Sequence, residues 1–85
     1  MIDIEELCIA RTNFITNKGI KNMFNIKELD LSENKNITND GIIHLHNLKI
    51  LRLYYNKIIT KDVIQYFKNI KYIDIVGSLI NKSDL

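Results

Sequence analysis

At 85 residues the chain is long enough for one small domain, 1–85, and its 46% apolar and 26% charged content is ordinary for a globular protein in water. A formal charge of +2, spread along the chain, gives no footprint for nucleic acid or a membrane surface. No apolar run reaches the roughly 18 residues that a membrane span needs. The start, Met1-Ile2-Asp3-Ile4-Glu5-Glu6, is acidic and lacks the basic region of a secretory signal. Cys8 is the lone cysteine, so no internal disulfide can form and a reducing, cytoplasmic setting is expected. The wealth of Ile, Asn and Lys points to an AT-rich genome; for a viral or parasitic source, that cytoplasm is the host's.

Segment 4–25 opens on Ile4, Leu7 and Ile9; the last two, two apart, share one face of a short strand. Thr12 follows where the chain turns inward, and Thr16 stands where a helix N-cap is wanted. Ile20 and Met23 form an inward i,i+3 pair, and Asn25 suits the left-handed residue that closes a helix. The pattern returns 22 residues later in 26–47, as Ile26, Leu29, Leu31, Asn34, Thr38, Ile42, Leu45 and Asn47. It returns again in 48–69, as Leu48, Leu51, Leu53, Asn56, Thr60, Ile64, Phe67 and Asn69. Segment 70–85 carries an incomplete copy, Ile70, Ile73, Ile75 and Ser78, with Ile80 matching Ile59 one residue early.

Each copy predicts a strand of about three residues, a turn, about two helical turns and a return. Asn34 and Asn56 are expected to be buried, with their amides satisfying backbone groups of the adjacent loop; Thr12 and Ser78 can do part of this with a hydroxyl. The Thr16, Thr38 and Thr60 hydroxyls are expected to accept bonds from free helix N–H groups, with Asp40 and Asp62 favourably placed in first turns. No copy could bury its core alone, whereas three or more stacked copies can.

The spacing Ile26-x-x-Leu29-x-Leu31-x-x-Asn34, followed by Ile37-Thr38-Asn39-Asp40-Gly41, resembles the leucine-rich repeat family in its short form. The resemblance covers residues 4–85. It implies an α/β right-handed solenoid of about 3.75 repeats, with a parallel sheet on the concave face and short helices on the convex face. The copies depart from the pattern at Thr12 and Ser78 in the Asn column and at Val63 in the Gly column. The family mostly serves as recognition surfaces, which makes non-catalytic protein binding the expected function.

On such a sheet, equivalent residues of successive copies lie about 4.8 Å apart. The outward columns are then Glu6, Glu28, Ile50, Tyr72; Cys8, Asp30, Arg52, Asp74; Ala10, Ser32, Tyr54, Val76; and Arg11, Glu33, Tyr55, Gly77. The expected protein-binding set is Glu28, Asp30, Ile50, Arg52, Tyr54, Tyr55, Tyr72 and Asp74, because Tyr and Arg concentrate binding energy. The plainer alternative is that Asp30, Arg52 and Asp74 pair across the sheet for about 0.2–1 kcal/mol each while the tyrosines merely cover it.

No catalytic or metal-binding arrangement and no cofactor motif is expected. His44 and His46 sit two apart and face different ways on a helix, and Cys8 has no His or Lys activator in view. Lys27, Lys49 and Lys71 read as a solvated rim. At the C-terminal end Ile70, Ile73, Ile75 and Ile80 are expected at an open edge. A self-associating assembly module, most simply a two-fold homodimer, is therefore the alternative function.

Overall fold

The computed structural model describes residues 4–12 and 14–85. Four three-residue strands, β1 (Glu6–Cys8), β2 (Glu28–Asp30), β3 (Ile50–Arg52) and β4 (Tyr72–Asp74), form one sheet in the order β1-β2-β3-β4. All pairs are parallel, and the register joins residues 22 apart: Leu7 with Leu29, Leu29 with Leu51, Leu51 with Ile73. Short helices lie between the strands: α1 (Asn17–Ile20), α2 (Asn39–Ile42) and a 3₁₀ segment Lys61–Tyr66; another, Lys82–Asp84, follows β4. The fold is α/β, and no helix among the described residues is long and apolar enough to cross a membrane.

The alternation within each strand decides what faces inward. Leu29, Leu31, Leu51 and Leu53 are buried and meet Ile26, Ile42, Leu45, Leu48, Ile59 and Val63 in one core between sheet and helices. The helices are shorter than the sequence leads one to expect. α1 and α2 have four residues each and the third crossing is 3₁₀, so about one α-turn replaces the expected two. Burial of Ile20, Ile42 and Val63 against the core, not propensity, holds segments this short.

Asn34 and Asn56 are fully buried and bonded at both ends of the amide. Asn34 Nδ2 donates to the carbonyls of Ile9 and Thr12, while its Oδ1 accepts from the Asn36 and Ile37 N–H groups at 2.9 and 2.8 Å. Asn56 repeats this with Leu31, Asn34, Ile58 and Ile59. Ser78 does a reduced version, its Oγ accepting from Ile80 N–H at 3.1 Å. The loop to Ile80 is one residue shorter than the loop from Asn56 to Ile59, which matches the shorter side chain.

Two local expectations are corrected. The left-handed residues are not Asn25, Asn47 and Asn69 but Arg11, Glu33 and Tyr55, at φ 59°, 56° and 51°, followed by Gly77 at 71°. This column directly precedes the inward turn, and its N–H groups donate to the next strand's end: Glu33 to Tyr54 O at 3.0 Å, Tyr55 to Val76 O at 2.8 Å. Asn47 and Asn69 instead donate to the carbonyls of Phe24 and His46. The threonines do occupy N-cap positions, but their hydroxyls cap nothing. Thr38 Oγ1 accepts from Asn17 Nδ2 and Thr60 Oγ1 from Asn39 Nδ2, both at 2.7 Å, and each Asn Oδ1 accepts the same threonine's N–H. A second ladder of asparagines thus ties the helix side together.

Candidate functional site

The side chains that alternate out of the sheet form its open face. Glu6, Glu28, Ile50 and Tyr72 stand in one row, and Cys8, Asp30, Arg52 and Asp74 in the next, as the strand register dictates. Tyr54, Tyr55 and Tyr72 are 42%, 49% and 52% exposed, while Ile50 is half-buried among its neighbours. The Arg52 guanidinium lies 5.8 Å from the centre of the Tyr72 ring, and Tyr54 meets Tyr55 edge-on at 4.5 Å. Lys57 Nζ stands 5.9 Å from the Tyr55 ring. The third and fourth strands therefore present a cation–aromatic patch.

Tyr55 is placed by backbone geometry. Its left-handed φ carries the ring over Gly77, where an added Cβ would fall 2.5 Å from the ring edge. Gly77 is the residue that permits this approach, and its own φ of 71° also favours glycine.

The expected charge ladder is corrected. Asp30, Arg52 and Asp74 are neighbours in register, yet no ion pair joins them among the described residues. Asp30 Oδ1 accepts from Ser32 N–H at 2.9 Å and Asp74 Oδ1 from Val76 N–H at 3.2 Å. A bond to the chain's own backbone two residues on needs little ordering, so it takes the carboxylate before a long, mobile arginine can. Arg52 is left over Tyr72 with its charge toward solvent.

At the other end of the face Glu6 and Glu28 lie side by side. A hydrogen bond to the Glu28 carboxyl, then its like charge, push Glu6 above the usual carboxylate range. A shallow depression of about 340 Å³ lies along Glu6, Cys8, Glu28, Asp30 and Arg52. Cys8 is exposed, its Sγ 3.9 Å from Asp30 Oδ2. Arg11 pairs with Glu33 and Lys27 with Glu5, both at the surface. Among the described residues there is no group of three or more His, Cys, Asp or Glu that could hold a metal ion.

Ile80, expected at an open edge, is 2% exposed because the short Ser78 loop folds it into the core; Ile70, Ile73 and Ile75 are half-covered against that core. On the helix side Phe24, 56% exposed, meets His44 edge-on at 5.5 Å above a groove shared with Lys18, Lys21 and Ile43. His44 is half-buried there, with Nε2 3.2 Å from the Ile20 carbonyl oxygen. The repeated apolar columns do not single out Phe24, which lies just outside them; its one signal in the sequence is an aromatic at a position that is His46 in the next segment.

A scan against family models, a search of curated proteins and a search of solved structures all return no match for this chain.

Proposed function

We propose that the chain is a right-handed leucine-rich repeat solenoid of about 3.75 repeats whose concave sheet face binds a protein partner without catalysis. The solenoid reading is supported by the agreement between the 22-residue offset in sequence and the 22-residue register between strands. Parallel crossovers are right-handed in nearly every case, which supports the hand. An exposed Cys8 is at home in a reducing cytoplasm.

One observation carries the binding reading: Tyr54, Tyr55 and Tyr72 stand exposed around Arg52 on one face, with no core to fill. Rigid aromatics lose little entropy on contact, and with arginine they are the usual anchors of an interface. Glu28, Asp30, Ile50 and Asp74 form the surrounding shell. The test is affinity capture from the native or host cell with the chain and with a Tyr54→Ser/Tyr72→Ser variant. Partners held by the original and lost by the variant, with far-UV circular dichroism unchanged, support the reading. Identical captures overturn it.

Self-association through the ends of the sheet is a second reading, favoured by a separate observation: β1 and β4 are its two edges.

A further inference from the structure

Consecutive strands are joined by the same bonds at each step. The N–H groups of Ile9, Leu31 and Leu53 donate to the carbonyls of Asp30, Arg52 and Asp74, at 2.8–3.0 Å. Those of Arg11, Glu33 and Tyr55 donate to Ser32, Tyr54 and Val76. The carbonyls of Glu5, Lys27 and Lys49 each accept two N–H groups from the following strand's start. At the β4 edge the equivalent groups, Ile75 N–H, Gly77 N–H and Lys71 C=O, have no partner among the described residues. Their complements lie on the chain's own opposite edge. Cys8 and Ala10 carry the matching carbonyls, the latter meeting, among the described residues, only the Thr12 hydroxyl at 3.4 Å, and Glu5 and Glu6 carry the matching N–H groups.

The side chains of the two edges are complementary in the same columns. Lys27 pairs with Glu5 at 3.1 Å; the last member of that lysine column is Lys71, and the only acid in it is Glu5. Phe14, 93% exposed, and Leu79, 48% exposed, begin and end another column, the one that directly precedes Ile15, Ile37, Ile59 and Ile80. Resting on the self-association reading, we infer that copies of this chain join head to tail: β4 of one pairs with β1 of the next, in the register that already links its own strands. Lys71 then meets Glu5 of the next copy, Leu79 meets its Phe14, and the Ile75 and Gly77 N–H groups meet its Cys8 and Ala10 carbonyls. The contact is heterologous, so each added copy presents a fresh edge and growth is open-ended. A two-fold pairing of β4 with β4 leaves Glu5, Phe14 and the β1 carbonyls out of contact, so of a homodimer and a higher assembly these contacts favour the higher one, a linear array.

Sedimentation velocity over a concentration series tests this. The mean mass should climb past twice the 10.0 kDa monomer without a plateau. Lys71→Glu and Glu5→Lys, both surface changes to be checked by circular dichroism, should each abolish that growth. Mixing the two variants in equal amounts should restore it, because each supplies the charge the other's edge now needs. A monomer at every concentration overturns both self-association and the head-to-tail contact. A plateau at the dimer, or a mixture that stays dissociated, overturns the head-to-tail contact while leaving self-association standing.

Discussion

Segments 26–69 and 70–85 put the same residue types in the same columns, yet only the first is sealed. Leu29, Leu31, Leu51 and Leu53 are 1% exposed or less, whereas Ile73 and Ile75 in those columns are half-covered. β2 and β3 have a strand on each side, and β4 has one. The polar column follows suit: Asn34 and Asn56 are buried with four bonds each, while Ser78 is half-buried and satisfies one nearby N–H and, weakly, one carbonyl. Burial here follows from having a strand on each side, so one substitution should cost different amounts in different segments.

The largest effect is expected at the asparagine. Asn56→Ala strands the carbonyls of Leu31 and Asn34 and the N–H groups of Ile58 and Ile59 in the interior. At about 1–3 kcal/mol for each buried group left unsatisfied, the loss should be about 3 kcal/mol or more. Ser78→Ala should cost less, about 1 kcal/mol, since it frees one N–H and one weakly held carbonyl of Ile80 where Asn56→Ala frees four groups. Thermal melts of the two variants check the contrast, and equal losses would erase it. Next comes the leucine column. Leu51→Ala should cost about 2–5 kcal/mol by transfer and cavity together. Ile73→Ala, already half in water, should cost about 1–2 kcal/mol. Urea midpoints read both.

The same contrast explains what could be read from the residues alone. The strand columns, the buried asparagines and the inward residues Ile20, Ile42 and Leu45 follow from a period and from burial, and a period survives in the sequence; in the third crossing Val63 takes the buried place expected of Ile64, which is half-buried. What polar tips do depends on competition between nearby partners, which a period does not encode. Arg52 sits between two aspartates, but Ser32 and Val76 N–H groups are closer to those carboxylates along the chain. The threonine hydroxyls lie at helix starts, but Asn17 and Asn39 reach them from the preceding segment. Residue type placed the left-handed turn at asparagine; the chain places it at Arg11, Glu33 and Tyr55, where only Gly77 hinted at it. On the sheet face the rows of side chains were legible, while the Arg52–Tyr72 contact needed side-chain geometry.

That hint gives a prediction of intermediate size. Gly77→Ala adds a Cβ at φ 71° and drives it into the Tyr55 ring. The backbone part should cost about 1–2 kcal/mol, with a further loss from displacing the ring. In a Tyr55→Ala background the same change should cost less, because the obstacle is gone, and a double-mutant cycle reads the difference. No coupling would mean that the ring does not lean on Gly77. The cycle also separates the two roles of this glycine, since only the steric one depends on Tyr55.

The smallest effect belongs to the β1 edge and is read through pH. Glu6 is raised above the ordinary carboxylate value by the Glu28 carboxyl, first through the bond and then through its charge. A raised acid holds its proton more tightly in the folded chain than in the unfolded one, so folding gains from the proton. That contribution is fully present below the ordinary carboxylate pKa and is lost as pH rises through the raised one. The melting midpoint of the unmodified chain should therefore carry a small downward step as the pH rises from the ordinary carboxylate value through the raised one of Glu6. Glu6→Gln keeps a hydrogen-bonding amide beside Glu28 and removes the second charge, so it should flatten that step; added salt should shrink it by screening an exposed pair. A step unchanged in Glu6→Gln would assign it to other carboxylates. It would also mean that the Glu6–Glu28 row is not a source of strain at the edge where β1 has a neighbour on one side only.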